Sequence, residues 1–138
     1  YAGTIKHGGS DTWDSGFVST ENLVELMNRS QIVLSHQGHD PWLNRVESKV
    51  TCVRMREFEV PMTGGLLITS FCPDLQKYYS IGKEVLCYRS SDDLYDTIMY
   101  LQHNRDKMEA IREAGWTKAS CEHTWEKRYD QLSKSFFV

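Results

Sequence analysis

Between Lys49 and Ser70 the chain reads KVTCVRMREFEVPMTGGLLITS, and this stretch concentrates the groups that could do chemistry. Three cations (Lys49, Arg54, Arg56) and two carboxylates (Glu57, Glu59) precede Gly64-Gly65 and an apolar run. The pattern predicts a single helix from about Glu47 toward Met62, with Pro61 straining or kinking its last turn. If the first turn of such a helix points at the ligand edge of a sheet, its free amides and a neighbouring Lys or Arg would suit a diphosphate. A nearby carboxylate can accept two hydrogen bonds from the vicinal hydroxyls of a ribose. Gly64 and Gly65 remove side chains where backbone must pass close to backbone or ligand. On pattern alone, charges on a helix more commonly mark its wet face.

The elements that would position these groups can be read on either side. Residues 1–16, rich in Gly, Ser and Asp, read as a loop, and Phe17-Val18 is an apolar step that can close a strand. Ser19 or Thr20 can cap a helix carrying Leu23, Leu26 and Met27 on one face and stopping near Ser30. Ile32–Leu34 reads as a short strand buried on both sides, Leu66–Thr69 as the next buried strand and Val85–Tyr88 as another strand. Such strands belong to parallel sheets, whose crossovers are helices. Pro73 to Tyr79 can make a short helix, broken by Gly82. Ser90 and Ser91 offer caps, with Asp92 and Asp93 in the first turn and Leu94, Ile98 and Leu101 at helical spacing. A helix with Met108 and Ile111 is expected to stop at Gly115. In the last helix Trp125, Tyr129, Leu132 and Phe136 form a stripe, expected as core or as a contact between lobes. The fold expected is therefore an α/β Rossmann-like parallel sheet with flanking helices, its helical tail wrapping one end. Ligands of such sheets bind at the carboxyl ends of the strands, here the loops after Leu34 and Thr69 and the approach to Phe17-Val18.

Bulk properties narrow the classes. The chain has 138 residues, one ordinary domain, and a formal net charge of -3, which argues against nucleic acid as the main ligand. No apolar run approaches bilayer length. The four cysteines (Cys52, Cys72, Cys87, Cys121) form no C-x-x-C pair, and reduced, buried thiols of a cytoplasmic protein are expected. The first residue is Tyr1 and not Met, so a piece of a longer chain is expected. His36 and His39 stand beside Asp40 at i, i+3 spacing, and loop histidines of this kind are more often polar surface than metal ligands. Asn28-Arg29-Ser30 matches a glycosylation acceptor, but inside a helix it is expected to be chance.

Four segments carry a resemblance. Arg56 to Thr69, R-x-F-E-V-P-x-x-G-G-L-L-I-T, looks like the signature of the glycosyltransferase group 1 C-terminal domain in its CgeB-like (spore-maturation) branch. Gly16 to Ser19 with Ser30 to Leu34, Ile81 to Val85 with Tyr88 to Ser90 and Asp93-Leu94, and Ala110 to Gly115 with Glu122 to Trp125 and Arg128 resemble three further family segments in the same order. Together they run from about Gly16 to the end of the chain.

The resemblance implies the C-terminal, nucleotide-sugar-binding lobe of a two-lobed, bacterial and cytoplasmic glycosyltransferase of GT-B type. Its glutamate that contacts the ribose corresponds to Glu59, and the backbone near Phe17-Val18 would line the base. Arg56 is the first choice to offset the diphosphate, with Lys49 and Arg54 behind it, and His36 could touch the donor sugar. An earlier glutamate of many group 1 enzymes, eight positions before the ribose-binding one, is Thr51 here. No D-x-D pair stands in a suitable loop, so no metal and no other cofactor is expected beside the donor substrate. The catalytic residues are not assigned: the acceptor site and any general base would belong to an N-terminal lobe of the parent chain, without which this lobe is expected to be inactive. Residues 1–138 then form one lobe, with a loop or truncated edge over 1–16, an α/β core over 17–89 and a helical tail over 90–138. Two rivals remain: a non-catalytic binding or assembly module of the same fold, and a receiver-like signalling domain, which would want acidic residues at strand ends that are not there.

Overall fold

The computed structural model describes residues 18–36 and 52–136. Three parallel strands, β1 (Val33–Ser35), β2 (Leu67–Ser70) and β3 (Leu86–Tyr88), form a sheet in the order β1-β2-β3. Each starts one residue later than the apolar run that announces it. Leu66 enters by a single bond, the Val33 amide donating to its carbonyl at 2.8 Å, and Val85 by a bridge to Ile81. On β2 the side chains alternate. Leu67 packs with Met27, Val60, Leu75 and Val85 on one face, and Leu66 and Ile68 pack with Leu101, Met108 and Ile111 on the other. Burial on both faces is why β2 is apolar rather than alternating, whereas Leu34 in β1 is 48% exposed, so β1 is not covered on both sides as expected.

The first face is covered by α1 (Thr20–Arg29), α2 (Arg56–Met62) and a 3-10 turn over Pro73–Lys77. Ser19 caps α1, its hydroxyl accepting from the Asn22 amide at 3.3 Å. Val18 lies ahead of this cap in irregular backbone, and Phe17, the other half of the expected strand end, lies outside the described residues. Helix α2 is shorter than expected. Residues 52–55 are not helical, and Arg54 precedes the helix rather than riding on it. The Glu57 carboxylate takes the Arg54 amide at 2.7 Å, a side-chain contact that holds this entry in place and that spacing could not announce. The expected start near Glu47 lies outside the described residues, as do residues 1–17 and 37–51 with His7, His39, Asp40 and Thr51. Gly64 ends the helix at φ 76°, a left-handed conformation that disfavours any side chain.

Helices α3 (Ser91–His103) and α4 (Arg105–Glu122) cover the second face with Leu101, Met108 and Ile111. They are therefore a layer of the core, not a wrap over one end. Ser90 caps α3 by accepting from the Asp93 amide at 3.1 Å. Helix α4 runs straight through Gly115, where a stop was expected. A β-carbon there would come within 2.3 Å of the Glu84 carbonyl oxygen, so the glycine serves close packing against the 81–85 turn and not termination. Helix α5 (Trp125–Phe136) closes the fold. Trp125, Tyr129 and Leu132 are 65, 65 and 53% exposed, so the stripe is not core within this chain. The cysteines also divide: Cys72 is buried and Cys87 half-buried, while Cys52 and Cys121 are exposed, against the expectation of four buried thiols. Among the described residues no helix is long and apolar enough to cross a membrane.

Candidate functional site

The carboxyl edge of the sheet is organised by one buried carboxylate. Ser35 and Thr69 are register partners at the ends of β1 and β2. Their hydroxyls donate to Oε1 of Glu57 at 3.2 and 3.1 Å, while Oε2 accepts the Arg54 amide at 2.7 Å. Glu57 is wholly buried, and these three donors supply what water would otherwise give its carboxylate. Two positions along a helix turn the side chain by roughly 200°. Glu59 accordingly leaves the sheet and is exposed.

Glu59 walls two hollows at once. One is a polar notch of about 390 Å³ that it shares with Leu34, Ser35, His36, Arg54 and Arg56. The other is a mainly apolar cleft of about 610 Å³, where Leu23 and Val24 of α1 face Met55, Phe58 and Met62 beside α2. His123, Trp125 and Arg128 line that cleft as well. His36 is tied down from two sides. Its Nδ1 lies 2.8 Å from the Tyr88 hydroxyl, and its carbonyl accepts from Arg54 Nη1 at 3.4 Å.

The site residues read from the sequence are thus partly gathered: Glu59, Arg54, Arg56 and His36 meet in the notch. Val18 is half-buried ahead of α1 and lines neither hollow. Lys49 and Phe17 lie outside the described residues. The first turn expected near Glu47 lies outside the described residues, and at the observed start of α2 three amides are in use. Glu57 N donates to the Arg54 carbonyl, and Phe58 N and Glu59 N donate to that of Met55.

Sequence reasoning missed two further residues. His123 is nearly buried among the rings of Phe58, Tyr78 and Tyr79. Its Nε2 lies 3.1 Å from the Tyr78 carbonyl oxygen, and its Nδ1 lies 3.0 Å from Arg128 Nη2. The carbonyl can only accept and the guanidinium can only donate, so Nε2 carries the proton and Nδ1 is the acceptor. Burial, assisted by the Arg128 charge, lowers the His123 pKa below the usual histidine value, although its bond to the Tyr78 carbonyl pulls the other way. Arg128 stacks over Phe58 and Tyr78, 5.6 and 5.2 Å from the ring centroids. The only sequence signal was their joint place in the last of the four resembling segments. Tyr79 is buried beside them; its hydroxyl has no hydrogen-bond partner, and burial pushes its pKa up. Thr124 precedes α5 and caps it, its hydroxyl accepting from the Lys127 amide at 3.4 Å, while Trp125 projects outward. Among the described residues no group of three or more His, Cys, Asp or Glu side chains is arranged to hold a metal ion.

The sequence profile of the glycosyl transferase-like family matches residues 2–134, nearly the whole chain. The chain belongs to the glycosyl transferase-like family. No curated protein and no solved structure matches it. Membership points to sugar transfer, and so to a sugar donor and an acceptor. The three-stranded parallel sheet with helices on both faces is consistent with the Rossmann-like lobe of a glycosyltransferase.

Proposed function

We propose that this lobe binds a nucleotide diphosphate sugar, as the donor half of a glycosyltransferase of the CgeB-like branch. The observation that carries this reading is the place of Glu59, exposed on the ridge between a notch holding two guanidinium groups and an apolar cleft. A nucleotide presents the same sequence of chemistry: a charged diphosphate, a ribose with vicinal hydroxyls and a flat base. In this reading Arg54 and Arg56 meet the diphosphate, with Lys49 as a further cation, and Glu59 accepts from the ribose hydroxyls. His36 borders the donor sugar, and the base lies over the apolar cleft. Transfer breaks the bond between the anomeric carbon and the diphosphate oxygen while the acceptor oxygen bonds to that carbon. The leaving diphosphate gathers negative charge, so fixed cations beside it lower the barrier. These cations take the place a divalent ion would otherwise fill. The acceptor's proton goes to a base that belongs to an N-terminal lobe of a cytoplasmic parent enzyme.

The test is calorimetric titration of the chain with UDP, GDP and their sugars in EDTA, repeated with Glu59→Ala. Binding that weakens roughly tenfold or more without Glu59 is the expected result. A Glu59→Ala chain that binds as tightly as the original sinks the donor-site reading.

A further inference from the structure

Arg128 reaches the same hollow as Glu59 from the far end of the sequence, and it arrives already oriented. Nη2 is held by His123 Nδ1 and Nη1 by Gln131 Oε1, both at 3.0 Å. His123 is itself fixed by the Tyr78 carbonyl and by three surrounding rings, so the guanidinium plane is set before any ligand enters. A guanidinium carries five N–H donors and no acceptor. With one taken by His123 and one by Gln131, three N–H groups remain in a side chain that is only half-buried.

The rest of the cleft wall is largely Leu, Val, Met and Phe, so the described residues offer a flat heteroaromatic ring mainly apolar contact and this one cation. Resting on the donor-site reading above, we infer that Arg128 is a specificity-determining residue that selects donors whose base presents acceptor atoms to it. An oxo base such as uracil or guanine turns carbonyl oxygens, or an oxygen and a ring nitrogen, toward the guanidinium. Cytosine and adenine place an amino group at the corresponding edge, where donor meets donor. The 610 Å³ cleft has room for either ring size, so hydrogen-bond polarity and not volume makes the selection.

The experiment measures dissociation constants of the chain for UDP, CDP, GDP and ADP, and repeats them with Arg128→Lys, His123→Asn and Glu59→Ala. The original chain is expected to favour UDP over CDP, and GDP over ADP, by roughly tenfold or more. Arg128→Lys keeps the charge but loses the planar fork, so both ratios should fall toward one while diphosphate binding persists. His123→Asn frees the same guanidinium from its anchor and should narrow the ratios too. This second variant covers the case in which Arg128→Lys perturbs folding, monitored by circular dichroism. Absence of discrimination in the original chain overturns the inference, and so do ratios unchanged in both variants. In either of those cases, weaker binding by Glu59→Ala leaves the donor site standing, and only the role of Arg128 falls. If no nucleotide binds, or if Glu59→Ala changes nothing, the donor site and this inference fall together.

Discussion

Ser35 and Thr69 face each other across β1 and β2, and both hydroxyls donate to the same oxygen of Glu57. This joins the ends of two strands to the loop before α2, because the other oxygen holds the Arg54 amide. Glu57→Ala would leave two hydroxyls and an amide without their acceptor at a buried point. A loss of about 3 kcal/mol in urea denaturation is expected. Glu59→Ala, two residues away but exposed, should change stability by less than about 0.5 kcal/mol. Equal losses for the two would contradict the division of labour between the carboxylates.

Gly115 lies in the middle of α4, where alanine would ordinarily gain about 1 kcal/mol of helix propensity. Here the sign should reverse. The added carbon meets the Glu84 carbonyl oxygen at 2.3 Å, and the Pro61 ring lies 3.7 Å away on the other element. The close neighbour is the Glu84 backbone rather than the end of a flexible side chain, so Gly115→Ala is expected to destabilise by about 1–3 kcal/mol. A melting temperature lowered by several degrees would show it, and an unchanged or raised one would mean that α4 shifts freely away from the turn.

These two sites show where the sequence is legible and where it is not. β2 was readable because burial on both faces demands an unbroken apolar run, and the caps at Ser19 and Ser90 because their chemistry is local. Gly115 misled because a close approach between distant segments uses the same residue as a helix stop. The start of α2 misled because the Arg54 amide is taken by a side chain whose burial depends on two strands. Glu57 and Glu59 look alike in sequence, and only the sheet behind the helix separates the buried staple from the exposed candidate ligand. The cluster of His123, Arg128, Phe58 and Tyr78 joins segments up to 70 positions apart, from Phe58 to Arg128, and no spacing rule could assemble it.

His123 makes stability depend on pH in a stated direction. Its folded pKa lies below the unfolded value of about 6.5, since burial and Arg128 both oppose a second positive charge. Between the two values the unfolded chain binds a proton that the folded chain refuses, so stability rises with pH across that interval. The contribution is complete above about pH 6.5 and is lost as pH falls through the folded value. The charges facing the ring are Arg128 and Glu122, and His123→Gln removes the titration while leaving both in place. Urea denaturation at pH 5.5 and 7.5 should therefore give a larger pH difference for the original chain than for His123→Gln. Parallel curves would assign the pH dependence to other groups.

The cysteines offer a check on the core that needs no substitution. Cys52 and Cys121 are exposed and should react readily with iodoacetamide at pH 8. Cys72 is fully buried beneath the first face of the sheet. Cys87 is only half-buried, but burial, with Cys72 beside it, pushes its thiol up to about 11. At pH 8 roughly one Cys87 in a thousand is then a thiolate, the reactive form, so access alone does not make it reactive. Peptide mapping by mass spectrometry should find Cys52 and Cys121 alkylated within minutes and Cys72 and Cys87 spared until urea unfolds the chain. Early labelling of Cys87 would mean that β3 opens from the sheet well below global unfolding, and with it the Tyr88 hydroxyl that orients His36 at the notch.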